Sequence, residues 1–154
     1  MNHEKIIILG LGNPILGDDG VGWKVAEKIA EQAPDGIEVD FLAGGGLSLM
    51  ERLVGYDRAI LIDAIDTGQV PKGSVRLFPL ESLLNPFLGH LGSAHETNLL
   101  TALTLGRKLG AHLPAQVLIV GIESADVYDF NDTLSEALTA AIPAAVKTAL
   151  DLIH

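Results

Sequence analysis

The sequence has 154 residues, no cysteine, and 20 acidic against 10 basic residues, which gives a formal net charge of −10. This length, with a hydrophobic content of 48%, predicts one folded domain over residues 1–154, and the lack of cysteine excludes disulfides, zinc–cysteine sites and thiol nucleophiles. The acidic balance argues against nucleic acid or a membrane as a partner. The chain has neither an apolar run of the roughly 18 residues that a membrane span needs nor a signal-peptide pattern, so we expect a cytoplasmic protein.

The first half of the chain alternates strand-like and helix-like segments. Residues 5–11 (KIIILGL) predict a buried strand, because their side chains are almost all aliphatic. From Val21 the apolar residues recur every four positions, as in an amphipathic helix that stops at residues 34–36 (Pro-Asp-Gly). The segments that follow are a strand at 37–43, a short helix at 47–55 and a strand at 57–65.

Proline and capping residues delimit the elements of the second half. Pro79 places the fourth strand at a sheet edge, because proline cannot donate a hydrogen bond to a neighbouring strand. Ser93 with Glu96, and Thr133 with Glu136, have the spacing of capping boxes and predict the starts of two helices. The predicted elements are a strand at 74–80, an irregular segment at 81–94, a helix at 96–110, a strand at 115–123 and a terminal helix.

Aliphatic strands that alternate with helices are typical of a parallel sheet covered on both faces. We therefore predict an α/β fold, a three-layer sandwich with a mostly parallel twisted sheet of about five strands and helices on both faces.

The glycine-rich segment GLGNPILGDDGVG, residues 10–22, directly follows the first strand. Ile15 stands where a dinucleotide fingerprint needs its third glycine, and no Gly-Lys-Ser/Thr follows as in a P-loop. The adjacent carboxylates of Asp18 and Asp19 would also repel a phosphate. The letters GLGNP resemble the start of peptidyl-tRNA hydrolases, but that similarity ends at Pro14, and such an activity is only a remote alternative. The segment therefore predicts a site for a cation rather than an anion.

Three acids and one histidine are expected at the carboxyl edge of the sheet, where ligands of such folds bind. Asp18 and Asp19 follow the first strand, and Asp63 ends the apolar run of the third. His95 lies in the first turn of a helix whose N-terminus points to the same edge. Carboxylates and a neutral imidazole that converge in this way form a site for a divalent transition metal.

Each of these residues also has a purely structural interpretation. Asp18 or Asp19 could cap the helix that follows, and Asp63 could accept hydrogen bonds from a turn. His95 could be a buried residue at a helix start, since Leu99 and Leu103 continue its spacing of four. Two further acids, Asp66 and Glu123, are candidates for supporting groups at the same edge.

The motifs GNPILGDDGVG, LIDAID and SAHETNL, in this order and at these separations, resemble those of [NiFe]-hydrogenase maturation endopeptidases. The resemblance runs from Ile6 to the terminal helix. It implies an enzyme, grouped with aspartic-type peptidases, that cuts a C-terminal extension from the precursor of the hydrogenase large subunit after nickel insertion. The chain departs from the family pattern at Ala43, where the family has an aspartate before its glycines.

The resemblance also implies which residues recognise nickel. Matched position by position, they are Asp19, Asp63 and His95, the residues that the sheet-edge argument selects. The nickel is carried by the substrate, so no permanent cofactor is expected. Two mechanisms remain open. In one, the bound metal or a carboxylate activates water; in the other, the metal serves only for recognition and an acid such as Asp18 or Asp19 acts as the base. A nickel-checking chaperone that uses the same three residues without hydrolysis is the non-enzymatic alternative.

Overall fold

The computed structural model describes residues 4–43, 46–84, 94–124 and 134–153, with side chains for all of these except 83–84 and 94–98. Two short 3-10 turns, Gly17–Gly20 and Leu80–Leu84, accompany the helices and strands. In chain order the described elements are β1 (Ile6–Leu11), α1 (Val21–Ala30), β2 (Ile37–Leu42), α2 (Gly46–Leu53), β3 (Arg58–Ile65), β4 (Val75–Pro79), α3 (Ala94–Lys108), β5 (Gln116–Glu123) and α4 (Glu136–Asp151).

The five strands form one sheet in the order β2-β1-β3-β5-β4. The first four are parallel, and β4 pairs antiparallel with β5 at the edge. Pro79 therefore ends an edge strand, as predicted, where its missing N–H costs no inner hydrogen bond. These findings confirm the predicted α/β fold with a mostly parallel sheet.

The central strands β1, β3 and β5 are buried on both faces, which explains why they are mostly aliphatic. The edge strands β2 and β4 are only partly buried. Every residue of β1 is buried. Alternate side chains along each strand enter two separate hydrophobic clusters, since successive strand residues point to opposite faces. Ile7 and Leu9 pack in the cluster that contains Leu49 of α2 and Leu103 of α3. The opposite cluster joins the other face to the buried residues of α1 and α4: Val21, Val25, Ile29, Leu138, Ala141, Ala145, Val146 and Ala149.

Two local predictions differ from the structure. The terminal helix does not begin with a Thr133–Glu136 capping box: its N-cap position is Ser135, and Thr133 lies outside the described residues. The reason is that the start of α4 is bound by a carboxylate from a distant part of the chain, as described below. The segment predicted to be irregular begins with the 3-10 turn Leu80–Leu84, and its remainder, 85–93, lies outside the described residues together with Ser93 of the other capping box.

None of the helices in the described part of the chain is long and apolar enough to cross a membrane.

Candidate active site

The topology creates a crevice at the carboxyl ends of β1 and β3. From β1 the chain passes through α1 on one face of the sheet to β2, and from β2 it passes through α2 on the other face to β3. The connection that leaves β1 leads to β2 on one side, whereas the connection that leaves β3 leads to β4 at the opposite edge of the sheet. The two connections diverge, which opens a switch point where ligands of open α/β sheets bind. The 3-10 turn Gly17–Gly20, which we call the acidic turn, follows β1 and contacts β3 at this point.

Glycines in the segment after β1 bring the start of α1 directly onto the sheet. A Cβ atom on Gly22 would lie 2.3 Å from the carbonyl oxygen of Ile62 and 2.4 Å from that of Leu11. A Cβ on Gly10 would lie 2.4 Å from the carbonyl oxygen of Gly22. Such distances are far below van der Waals contact, so only glycine fits at these positions. The glycine pattern thus serves close packing between helix and strand, which is one of the uses of glycine in dinucleotide-binding folds.

Asp19 is fixed by its backbone and by its carboxylate. Its carbonyl oxygen lies against Gly12, where an added Cβ would overlap it and where φ is +123°, so that glycine is required. Its Oδ2 accepts the backbone N–H of Asn13 at 2.7 Å, and its own N–H donates to the carbonyl of Leu16 at 3.0 Å. Asp19 is half-buried.

Asp63 lies on β3, two residues before the strand ends, and is 1% exposed. Its neighbours Leu61 and Ile65 pack in the cluster of α2 and α3, and strand alternation places Asp63 on that same face. Its partner in the register with β5 is Gly121, which has no side chain. A buried carboxylate on a central parallel strand is rare, because such strands are otherwise apolar.

Asp18 has a different environment from its neighbour Asp19. It is 4% exposed, and its Oδ1 accepts the backbone N–H of Ser135 at 2.7 Å. Its Oδ2 pairs with the ammonium of Lys72 at 3.2 Å. In the described part of the chain no side chain caps α1, whose N-cap position is Gly20, so the interpretation of these acids as helix caps is wrong.

His95 belongs to the first turn of α3, and its side chain lies outside the described part. The connection from α3 to β5 lies at the amino edge of the sheet, since the N–H of Gly55 donates to the carbonyl of His112 and the N–H of Ala115 to that of Asp57. The start of α3 therefore points toward the carboxyl edge. Leu99, one turn after His95, packs in the cluster on the face that Asp63 occupies.

Glu123 and Asp66 have unequal environments at this edge. Glu123 is 3% exposed, and its carboxylate accepts the N–H groups of Thr67 and Gly68 at 2.8 and 3.2 Å and the hydroxyl of Thr67 at 2.5 Å. It therefore holds the loop of residues 66–74 between β3 and β4, which we call the β3–β4 loop. Asp66 is exposed at the start of that loop.

Sequence reasoning missed Lys72 and Ser135, the partners of Asp18. Ser135 is 117 positions away from Asp18 in the chain, and nothing in the local pattern around either partner marks it. A buried acid needs a counter-charge, so the adjacent pair of aspartates was itself a signal that a lysine or arginine had to lie nearby.

The described side chains do not form a metal site by themselves. Among them, no group of three or more histidine, aspartate or glutamate residues is placed to hold an ion. Asp19 lies in the turn that contacts β3, Asp63 lies on β3, and His95 lies at the start of the helix that points to the same edge. Two carboxylates from this edge could hold a transition metal together with a third ligand such as an imidazole.

Comparison with known proteins decides the family. The family model described as hydrogenase maturation protease matches residues 23–152. The chain belongs to the hydrogenase maturation protease family.

Relatives of this family resemble the chain over nearly its whole length. The chain is 31% identical to the hydrogenase expression/formation protein HupM of Azotobacter chroococcum, over 97% of this chain and 71% of that protein. It is 29% identical to HoxM of Azotobacter vinelandii, over 99% of this chain and 74% of that protein. These matches include the acidic turn, which precedes the part that the family model covers.

Solved structures of maturation proteases have the same fold. The hydrogenase maturating endopeptidase HybD of Escherichia coli superposes with a TM-score of 0.78 at 26% identity, over 97% of this chain and 91% of that one. The [NiFe] hydrogenase maturation protease HybD of Thermococcus kodakarensis gives a TM-score of 0.76 at 28% identity, over 97% and 99%. Membership of a protease family sets aside the peptidyl-tRNA hydrolase alternative.

Proposed function

We propose that this maturation protease is a cytoplasmic endopeptidase that removes the C-terminal extension of a [NiFe]-hydrogenase large-subunit precursor after nickel insertion. Asp19, Asp63 and His95 recognise the nickel, which arrives with the precursor, so the enzyme needs no metal of its own. The observation that carries the proposal is the carboxylate of Asp63, 1% exposed on the central strand β3, which the acidic turn contacts.

The chemistry of the residues supports recognition of a metal. Carboxylate and imidazole groups bind divalent transition ions. The crevice lies at the switch point, where the loops on both faces of the sheet leave room for a polypeptide segment to approach. Bound there, the nickel of the precursor would bring the scissile peptide next to Asp19 and Asp63.

Peptide hydrolysis needs a base that accepts a proton from water as the water oxygen attacks the carbonyl carbon, and an acid that returns a proton to the leaving amine. We assign these proton transfers to Asp19 or Asp63 in an aspartate-dependent mechanism, with the substrate's nickel available to polarise the attacked group. Asp18 is unsuited to this role, because both of its oxygen atoms are already bound by Ser135 and Lys72.

The test is cleavage of purified precursor, prepared with and without nickel and followed by the loss of mass of the extension. We expect the nickel-loaded precursor to be cut and the nickel-free one to be a poor substrate. In Asp19→Asn and Asp63→Asn, which keep the size of the side chain, we expect kcat/KM to fall at least about 100-fold. Glu27→Gln, an exposed change on α1, is the control that should cleave normally.

Two results would contradict the proposal. Equal cleavage of nickel-free and nickel-loaded precursor would show that the enzyme does not recognise nickel. Tight binding of the nickel-loaded precursor without any cleavage would instead indicate a nickel-checking chaperone.

A further inference from the structure

We propose that Asp18 and Lys72 are positioning residues, which hold the acidic turn so that Asp19 faces the crevice beside Asp63. This inference rests on the proposed function, because it assumes that Asp19 acts on the substrate. It assigns a role in the reaction to an ion pair between a buried acid and a partly exposed lysine, neither of which touches the substrate.

Asp18 joins three segments that are far apart in the chain. Its own turn follows β1, its Oδ1 binds the N–H of Ser135 at the start of α4, and its Oδ2 binds Lys72 of the β3–β4 loop. The carboxylate is 4% exposed, whereas the side chain of Lys72 is 35% exposed. Both carboxylate oxygens of Asp18 are thus bound inside the protein, and the position of the side chain depends on the two partners.

The loop that carries Lys72 is bound at several points. Gly73, next to Lys72, donates its N–H to the carbonyl of Glu123 at 2.8 Å. A Cβ on Gly73 would lie 2.8 Å from the carbonyl oxygen of Ala137, so the β3–β4 loop lies directly on the first turn of α4. The carboxylate of Glu123 binds the other end of the same loop through Thr67. The loop that carries Lys72 is therefore tied to β5 and to α4.

The position of Asp18 determines that of Asp19 because the two are consecutive in a tight 3-10 turn. About three residues make one turn of such a helix, so the two side chains point in directions about 120° apart. The backbone carbonyl of Asp19 also packs directly against Gly12. A shift of Asp18 toward a new partner would therefore rotate or displace the carboxylate of Asp19, and a displacement of about 1 Å at a reacting centre can cost about 100-fold in rate.

The experiment compares Lys72→Met with Arg58→Met, a matched control at the opposite end of the same helix. Arg58 is 20% exposed, pairs with Glu4 at 3.1 Å, and donates to the carbonyl of Leu152, just beyond the end of α4, at 2.6 Å. Arg58→Met removes a cation bound at the end of α4, and Lys72→Met removes one bound to Asp18, the acid that binds the start of α4. Only Lys72 is connected to the acidic turn. Cleavage of nickel-loaded precursor and thermal unfolding are measured for both variants.

We expect Lys72→Met to lower kcat/KM about 10- to 100-fold, whereas Arg58→Met, with a similar fall in Tm, stays within about twofold of the parent. Lys72→Arg, which restores the positive charge, should recover most of the activity. A role in stability alone would lower activity in proportion to Tm in both variants, and that result would overturn the inference, as would normal cleavage by Lys72→Met.

If Lys72→Met does not fold, Asp18→Asn/Lys72→Met replaces it under the same expectations. The amide can still accept the N–H of Ser135 and leaves no unpaired buried charge. Asp19→Asn separates this inference from the proposed function: full activity of Asp19→Asn contradicts the proposed function itself. Loss of activity in Asp19→Asn with normal cleavage by the Lys72 variants contradicts only the positioning role.

Discussion

Gly22 and Ile62 are in direct backbone contact, because a Cβ on Gly22 would stand 2.3 Å from the carbonyl oxygen of Ile62. Ile62 immediately precedes Asp63 on β3, and Gly22 follows Asp19 by three residues. The contact therefore fixes the distance between the acidic turn and the buried acid on β3. A glycine in the first turn of α1 thus sets the width of the candidate active site.

We predict that Gly22→Ala lowers the free energy of unfolding by about 3 kcal/mol, since two backbone carbonyls must move to admit the methyl group. Gly110→Ala is the matched control. Gly110 has φ of +89° but no atom within 4 Å of an added Cβ, so only the backbone conformation is penalised, by about 1 kcal/mol. Urea denaturation of both variants measures the difference. Equal losses would mean that the close approach of α1 and β3 does not constrain the fold.

Titration of the purified protein with Ni(II) in a calorimeter tests the proposed recognition residues without a precursor. We expect saturable binding at one site, and its loss in Asp63→Ala and His95→Ala, because each removes one of three ligands. His112→Ala is the control: this histidine is exposed at the amino edge, where it bonds to Asp57 at 3.0 Å. If the parent and all three variants bind Ni(II) equally, the three residues are not a metal site.

Glu123→Gln should destabilise the protein by about 1–3 kcal/mol, because the buried carboxylate accepts three hydrogen bonds and an amide NH₂ would face at least one of the donors. Glu27→Gln removes a charge from an exposed acid whose nearest cation is Lys24 at 4.0 Å, and should change stability by less than about 0.5 kcal/mol. Chemical denaturation measures both. If Glu123→Gln lowers the free energy of unfolding by as little as Glu27→Gln does, Glu123 does not stabilise the β3–β4 loop.

The stability that Asp40 contributes should depend on pH. Burial raises the pKa of this carboxyl, but the hydrogen bonds from Arg52 and from the N–H of Phe41 outweigh it, so that the pKa lies below its usual value. A carboxyl whose pKa is lower in the folded than in the unfolded state stabilises the protein at pH values above its unfolded pKa of about 3.9. This stabilisation is lost as the pH falls through the pKa of the folded state.

Asp40→Asn should therefore lower the free energy of unfolding at pH 7 by less than about 1 kcal/mol, since the side chain of Asp40 is 41% exposed. The difference from the parent should shrink as the pH falls below about 4. In an Arg52→Met background the same substitution should cost less at pH 7. Denaturation curves between pH 3 and 7 measure these differences, and a difference that does not change with pH would contradict the assignment.

The sequence predicted the fold well because its signals are local. The aliphatic runs of β1 and β3 report burial on both faces, and Pro79 marks the edge strand through its missing N–H. The prediction for Thr133 was wrong because the N-cap of α4 depends on Asp18, which local spacing cannot reveal. The direction of β4 and the place of β3 between β1 and β5 likewise depend on pairing between distant segments.

The α/β class, the acidic character of the segment after the first strand, and the choice of Asp18, Asp19 and Asp63 as candidates follow from the amino-acid sequence alone. How the two adjacent aspartates differ depends on the tertiary structure. Asp18 is bound by Ser135 and Lys72, whereas Asp19 lies against Gly12 beside the crevice. Neighbours in sequence can differ in this way because burial and counter-charge come from whatever the fold brings near each side chain, and those partners are far away along the chain.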